Sequence, residues 1–567
     1  MTTLTAHPPN AAAPDRTLNI ASRLSAQADA APDRPALIVP WRRNPTGSGP
    51  ARWTFSELDQ ESNRIADGLR GVGIDRGVRT VVMIRPGLEF TGVIFALFKL
   101  GAVPILIDPG MGVARMIDCI ETSEPEAFIG VPLAQVVRWF HRRRFPKLHS
   151  IVTVGRRFGW GGATLDEVRR GGSRRFQAAQ TGPDDVAAIL FTTGSTGPPK
   201  GVVYEHGMFD AQVRWIRSFY DMQPGEVDLP AFPLFALFST AMGITCIIPE
   251  MDPSHPARCR PQKLVRDLLA YDVTTTFGSP AIWRRVGAFC IRRGIRLPRL
   301  KRVLTAGAPI PWRVIEQWRR ILPDDGDIHT PYGATESLPV TSIRGRELLE
   351  GGLIARARSG AGTCVGAPFP GLSVRIIRIS DDPVPVWRDD LEVRAGEHGE
   401  IVVSGDVVTR EYDHQPDATA LHKIREGDRI WHRIGDVGYF DGDGRLWFCG
   451  RKAHRVPTQE RCLFTIECEA IFNEHPEVFR TALVGVPAGS GGGVKRPVLV
   501  VEPLPGRYPR GRRRAEFTRE LLELGRRDDR TRGIREVLYH RAFPVDIRHN
   551  AKIFREKLAV WAAERLS

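Results

Sequence analysis

Apolar positions along the chain follow two periods that alternate. From Thr54 to Leu69 (TFSELDQESNRIADGL) they fall at helical spacing behind a threonine start, and Gly71, Gly73 and Gly77 punctuate before the strand-like VRTVVMI. LEFTGVIFALFKLGA then reads as a helix and VPILID as a second strand, the crossover unit of a parallel sheet. The same alternation recurs in VAAILF with the helix around Phe209 to Tyr220, in VTTTFG with AIWRRVGAFCIRRG, and in LKRVLTAG with PWRVIEQWRRIL. An α/β class follows, with parallel-sheet subdomains.

The texture changes after about Gly362. Short strands such as LSVRIIRIS and EIVVSGD are separated by Pro, Gly and Asp clusters, which predicts a small barrel-like section. In GYFDGDGRLWFCGR the residues Asp441, Gly442, Asp443 and Gly444 lie between two aromatic-rich strands, a strong hairpin signal. Past Arg451 a smaller α/β segment begins: TIECEAIFNEHP as a helix, RTALVGVP and RPVLVVEP as strands, EFTRELLELG and AKIFREKLAVWAAERL as helices. A chain of 567 residues exceeds what one hydrophobic core sustains. The expected division is a disordered lead over 1–16, a large N-terminal domain over 17–451 and a small mobile C-terminal domain over 452–567.

Composition adds exclusions more than content. With 42% hydrophobic and 26% charged residues the chain is neither disordered nor fibrous. Its eight cysteines are dispersed, without CxxC pairs or zinc-spaced histidines, which suits a reducing cytoplasm. The opening MTTLTAHPPNAAAPD lacks the basic and apolar regions of an export signal, so a cytoplasmic location is expected. From Leu229 to Pro249 no charged residue occurs, a length that could span a bilayer. Pro230, Pro233, Ser239, Thr240 and Gly243 interrupt it, and a buried core or acyl-chain wall is the better reading, with peripheral membrane contact left open. A net charge of +15 permits attraction to nucleic acid or anionic membranes. The densest basic runs, RYPRGRRR (Arg507 to Arg514) and HRRR (His141 to Arg144), lack the interleaved aromatics of a strand-binding platform, and no specific nucleic-acid partner is expected.

The chemistry concentrates first in Leu190 to Val202, LFTTGSTGPPKGV. An apolar strand runs into Thr192, Thr193, Gly194, Ser195, Thr196 and Gly197, followed by Lys200. Glycines and small hydroxyl residues let backbone N–H groups approach phosphate oxygens, and Lys200 adds positive charge. The order differs from the Walker loop, because Lys200 follows Pro199 and precedes Gly201.

This string resembles the signature loop of the AMP-forming adenylating enzymes, the superfamily of acyl-CoA synthetases, peptide-synthetase adenylation domains and luciferases. Further motifs follow in that family's order over nearly the whole chain. TAGAPI (Thr305 to Ile310), with Gly307, Ala308 and Pro309, resembles the segment that packs on adenine. YGATE (Tyr332 to Glu336) resembles the next motif: the resemblance implies Tyr332 and Gly333 near the base, Thr335 on the phosphate and Glu336 holding Mg²⁺. It likewise implies that Asp436 in GDVGYF binds the ribose hydroxyls with Arg451 of CGRK beside it. Lys552 in NAKIFREKL matches the C-terminal-domain lysine that reaches the reacting carboxylate and phosphate. ATP and Mg²⁺ are the implied cofactors, and Lys552, Glu336 and Thr335 the implied catalytic residues. The roles are physically coherent, because a carboxylate attacking an α-phosphate meets like-charge repulsion that lysine and Mg²⁺ neutralise.

The sequence departs from many family members after Arg451. Ala453 falls at the hinge, Glu460 where a glycine stands and Cys462 where an arginine stands. A carboxylate at Glu460 would crowd a thiol channel and repel the phosphates of CoA. PLFALF (Pro233 to Phe238), IIPEMDPSHPA (Ile247 to Ala257), FGSPA (Phe277 to Ala281) and YGATESLPV (Tyr332 to Val340) are more narrowly similar to the olefin β-lactone synthetases. That resemblance implies a long 2-alkyl-3-hydroxy fatty acid whose adenylate closes to a β-lactone. Phe232, Phe235 and Phe238 are candidate wall residues for its alkyl chains. A fatty acyl-CoA ligase, a fatty acyl-AMP ligase and a non-catalytic basic nucleotide- or nucleic-acid-binding protein are the competing readings. His206, His329 and His454 lie near motifs as possible proton acceptors, each also readable as structural. Other enzymes of the same lipid pathway are possible partners.

Overall fold

The computed structural model describes residues 17–44, 47–192, 199–488, 493–545 and 553–566. Two seven-stranded sheets carry the α/β alternation. One runs Ala163–Thr164, Ser150–Thr153, Ala127–Gly130, Arg79–Met83, Val103–Ile107, Val186–Thr192, Lys200–Glu205. The other runs Asp327–His329, Arg302–Thr305, Thr275–Gly278, Val227–Pro230, Thr245–Ile247, Pro35–Arg43, Pro50–Thr54. Every neighbouring pair is parallel except the last in each sheet. The helical crossovers expected between strands thus produce parallel pairing, and each sheet ends in an antiparallel edge strand.

Helix Leu88–Leu100 is apolar on every side and buried almost throughout, as a helix without a polar face must be. It belongs to the core cluster that joins residues from both sheets. Its one buried cation, Lys99, meets Asp59 Oδ1 at 2.7 Å and Asn63 Oδ1 at 2.6 Å on helix Phe55–Gly71. Thr54 caps that helix through a capping box with Glu57.

Two strands are not read from the sequence. Lys200–Glu205 is a strand antiparallel to Val186–Thr192, with Thr192 opposite Lys200. Its GVVY core is buried on both faces and therefore shows no alternation to read. Strand Pro35–Arg43 joins its sheet through Leu37 opposite Cys246, a pairing across some two hundred residues that local pattern does not reveal. The uncharged stretch from Leu229 to Pro249 is divided among the end of strand Val227–Pro230, helix Phe235–Ala241 and strand Thr245–Ile247. Among the described residues no helix is long and apolar enough to cross a membrane.

From Tyr332 to Arg451 an eight-stranded sheet forms, antiparallel throughout, which is the barrel-like section read from the short strands. The DGDG turn joins Arg429–Phe440 to Leu446–Arg451, and a register shift between Val437 and Gly438 brings Asp436 opposite Arg451. Beyond it, Val478–Pro487, Lys495–Pro503 and Glu536–Tyr539 form a three-stranded mixed sheet flanked by helices Thr465–Phe472, Gly511–Arg526 and Arg555–Leu566. This is an α/β architecture of two parallel-sheet units, an antiparallel section and a smaller α/β unit.

The smaller unit contacts the rest through charged clamps. Arg530 donates to the carbonyls of Ser359 and Gly360, Arg358 pairs with Glu474, and His398 Nε2 lies 2.8 Å from Glu467 Oε1.

Candidate active site

A cleft of about 2700 Å³ opens where the C-terminal ends of the parallel strands meet the antiparallel section and the smaller α/β unit. Ligands of open α/β sheets bind at such strand ends. Its lining includes Lys200, Gly307, Ala308, Pro309, Tyr332, Gly333, Thr335, Glu336, Asp436 and Arg451. The segments that sequence reading linked only by order along the chain are therefore brought to one place.

Each is positioned by an identifiable local device. Strand Arg302–Thr305 ends at the cleft, and the chain turns through Gly307 at φ +92°, a backbone state that only glycine adopts without strain. Tyr332 lies on strand Tyr332–Ala334, and its phenol donates to Asp436 Oδ2 at 2.7 Å. Burial and the neighbouring Asp436 push the Tyr332 phenol well above its ordinary range, so it stays a donor. Arg451 Nη1 is 3.1 Å from Asp436 Oδ1. Tyr332, Asp436 and Arg451 thus form one fixed polar group at the cleft wall.

Around Glu336 lies a cluster the sequence reading missed. Tyr412 donates to Glu336 Oε1 at 2.7 Å, and the Tyr204 hydroxyl donates to the Thr335 carbonyl. Lys200 Nζ is 2.7 Å from His422 Nε2, with the Tyr412 ring centroid 5.0 Å from the ammonium. Lys423 is buried, donating to the hydroxyl and carbonyl of Thr409. Burial, opposed by Glu336 and aided by Lys200, draws Lys423 down to about 7. Burial and Lys200 draw His422 down to about 4, and burial with Lys423 and His422 takes His432 well below its usual range. Lys200 is also lowered, by burial first. No motif announces these residues; only the burial of several basic groups against one carboxylate would have, and that is a tertiary fact.

Other sequence expectations divide. Thr193, Gly194, Ser195, Thr196, Gly197 and Lys552 lie outside the described residues. Thr192 is the last residue of its strand, across from Lys200. Of the three histidines considered as proton acceptors, only His454 lines the cleft. His206 is fully buried and accepts from the Ile20 backbone N–H at 3.2 Å, and burial draws it down to about 4. His329 is buried with its ring edge-on to Tyr220. Glu460 sits exposed in the turn between Val456–Pro457 and Cys462–Leu463 and is not part of the cleft lining. The crowding expected from its charge is therefore not seen in this arrangement.

The far part of the cleft is aromatic. Phe235 stacks on Phe277 at 3.6 Å between centroids, Phe238 lies 5.7 Å from Phe235, and Phe209 lies 6.0 Å from Phe238. All four rings, with Phe232, line the cleft. The uncharged stretch thus serves as core on one side and as wall on the other.

Beneath this wall Asp228 is buried, with Ser239 Oγ donating to its Oδ2 at 2.6 Å, and burial raises it to about 7. A raised carboxyl favours folding while protonated, so this stability is complete below the unfolded value near 4 and is lost as pH rises through about 7. Asp228→Asn is expected to match the parent in thermal melts at about pH 4 and to exceed it at pH 8. Equal differences at both pH values would refute the assignment.

The chain belongs to the AMP-binding enzyme family, which matches residues 24–413. It is an AMP-forming ligase by that membership. It is 48% identical over 555 residues to the olefin beta-lactone synthetase of Xanthomonas campestris pv. campestris, covering 96% of this chain and 98% of that one. It is also 48% identical over 564 residues to that of Stenotrophomonas maltophilia, covering 97% and 99%. Among solved structures it resembles the anthranilate CoA ligase AuaEII in complex with anthranoyl-AMP, with a TM-score of 0.77, 19% identity, and 97% and 98% of the two chains covered. ATP-bound MatB from Rhodopseudomonas palustris superposes with a TM-score of 0.76 at 19% identity, covering 97% and 99%.

Proposed function

We propose that this protein activates a long-chain 2-alkyl-3-hydroxy fatty acid with ATP and closes the adenylate to a β-lactone, releasing AMP and pyrophosphate. The observation that carries the reading is the continuity of one cleft from the basic basin around Glu336 to the phenylalanine wall. Near full-length identity of 48% to olefin beta-lactone synthetases supports the fate of the adenylate.

In this reading the basin receives the triphosphate. Lys200, His422 and Lys423 are basic groups held toward neutrality by burial, with Lys200 acting on the other two, and a polyanion supplies the missing counter-charge. Tyr332, Asp436 and Arg451 hold the nucleoside, with Asp436 accepting from the ribose hydroxyls. Glu336 suits Mg²⁺ arriving with the nucleotide: it is a hard oxygen donor, and Mg²⁺ takes one or two carboxylates and completes its shell with phosphate oxygens and water. When bound, the ion neutralises charge on the phosphates. The acid's carboxylate oxygen attacks the α-phosphorus and pyrophosphate leaves. The substrate's own 3-hydroxyl oxygen then attacks the acyl carbon, the bond from that carbon to the phosphate oxygen breaks so that AMP leaves, and the hydroxyl proton passes to solvent. Intramolecular attack gains from high effective molarity. We place the domain boundary between Arg451 and Lys452, with the smaller unit carrying Lys552 to the reacting groups.

The test is pure protein with ATP and Mg²⁺. A 3-hydroxy acid without CoA should yield lactone and AMP. Thioester from a plain fatty acid with CoA, and no lactone in the first tube, would overturn the reading. One observation favours that second outcome, the surface position of Glu460, which leaves the cleft unobstructed.

Tyr412→Phe removes the hydroxyl that orients Glu336. Such supporting bonds to a metal-binding carboxylate are worth about 10- to 100-fold in metal affinity. The Mg²⁺ concentration giving half-maximal pyrophosphate release should rise by about that factor, read from a metal titration at saturating ATP; an unchanged midpoint would refute the role.

A further inference from the structure

Helix Pro132–Phe140 is folded inside out. Its polar residues Gln135 and Arg138 are buried, at 0% and 4% exposure, while Leu133 and Phe140 stand 70% and 71% exposed with Val136 and Trp139 beside them. Gln135 Nε2 donates to the Val152 carbonyl at 2.9 Å, and Arg138 Nε donates to Gln135 Oε1 at 2.7 Å, so the orientation is locked from beneath. Leu133, Val136 and Phe140 follow helical spacing and form one outward stripe. The loop after strand Ser150–Thr153 lies alongside, with Gly155 against Pro132, and raises Phe158 to 58% exposure. A water-facing surface of this composition is costly unless something apolar covers it.

The charge around the stripe says what covers it. From Val131 to Leu165 the chain carries six Arg, one Lys and no Asp or Glu. Arg144 and Lys147 are paired, with Asp118, Glu121 and Glu124, and Arg157 lies 3.3 Å from Glu167. Exposed Arg142 and Arg156 instead lie over the Trp139 and Phe158 rings at 4.8 and 5.5 Å, and exposed Arg143 adds to them. Arginines ringing exposed Trp, Phe and Leu match an anionic lipid surface, where rings enter the headgroup boundary and guanidinium groups meet phosphate. A second copy of the chain fits less well, because a two-fold contact would set these arginines against themselves.

The stripe is also continuous with the cleft. Leu133, Ala134 and Val137 line it together with Val113 and Met116, on the same space that reaches the phenylalanine wall. We propose that helix Pro132–Phe140 and the loop bearing Phe158 dock this enzyme on an anionic bilayer, so that the mouth at Leu133 opens against the lipid phase. Docking rests on this surface alone; that the mouth admits substrate rests on the fatty-acid reading above.

The test is vesicle flotation of the full chain without nucleotide. Vesicles are phosphatidylcholine alone or with about a third phosphatidylglycerol, at low and at high salt. The parent should float with the anionic vesicles, and less at high salt. The double variant Trp139→Ser, Phe140→Ser should lower the bound fraction at least about tenfold. Arg142→Glu with Arg143→Glu should abolish the preference for anionic vesicles. Both variants should keep the parent's melting temperature and its pyrophosphate release from a short, water-soluble 3-hydroxy acid, because none of these residues lines the cleft. The proposal is overturned if the parent does not float, if the variants float equally, or if the parent instead sediments as a dimer that the Trp139, Phe140 variant dissociates. Docking with no pyrophosphate from any acid would leave this proposal standing and refute the functional reading instead.

Discussion

Lys552→Ala is expected to lower adenylate formation by at least about 10³-fold while ATP affinity changes little. The step brings a carboxylate against an α-phosphate, and a lysine placed between the two anions acts on charge that becomes most concentrated in the transition state. In the proposed reading, ground-state ATP binding draws on Lys200, Arg451 and the basic groups around Glu336, so its loss there should be small. The next residue in the chain, Ile553, is buried and lines the cleft, as does Arg555, which is held by Glu469 at 2.6 and 3.0 Å. The chain on the C-terminal side of Lys552 is thus anchored at the site. ATP–pyrophosphate exchange measures the step, and calorimetric ATP titration measures the affinity. Exchange at the parental rate would remove Lys552 from the mechanism; a loss of ATP affinity equal to the loss of rate would make it a nucleotide-binding residue.

Glu336→Gln should lower the same rate about 10²-fold at saturating ATP, with little change in melting temperature. The substitution keeps the shape and removes the single negative charge facing Lys200 and Lys423. That charge is what opposes the lowering of both lysines by burial, so in the variant both should titrate still lower in the nucleotide-free protein. If Glu336 holds Mg²⁺ with the nucleotide, raising the metal concentration should restore part of the rate. Failure of excess metal to restore any activity would point to an electrostatic role on the lysines alone.

Legibility differed between fold and site for a physical reason. Alternating periods of apolar residues, set within stretches of ten to fifteen residues, encode a strand–helix–strand order because burial of one face is a local demand. The DGDG turn is as local and pairs Phe440 with Leu446, but the register shift between Gly438 and Val437, which brings Asp436 opposite Arg451, has no such local signal. Tyr332 and Glu336 could be picked out because YGATE resembles a family motif; Tyr332 opens strand Tyr332–Ala334 and Glu336 lies in the turn before Ser337–Ser342.

What the sequence by itself determined, then, is the α/β order, the hairpin, the ordered nucleotide motifs and the apolar stretch that interrupts the charge pattern. The tertiary structure alone decided which sheet each strand joined, that Lys200 begins an edge strand, and that Tyr412, His422 and Lys423 converge on one carboxylate, with His432 beside His422. It also separated His454, at the cleft, from His206 and His329, in the core, and turned Gln135 inward and Phe140 outward. These are questions of which surfaces lose water. Desolvation depends on what packs against a side chain from distant parts of the chain, and neither periodicity nor motif spacing carries that information.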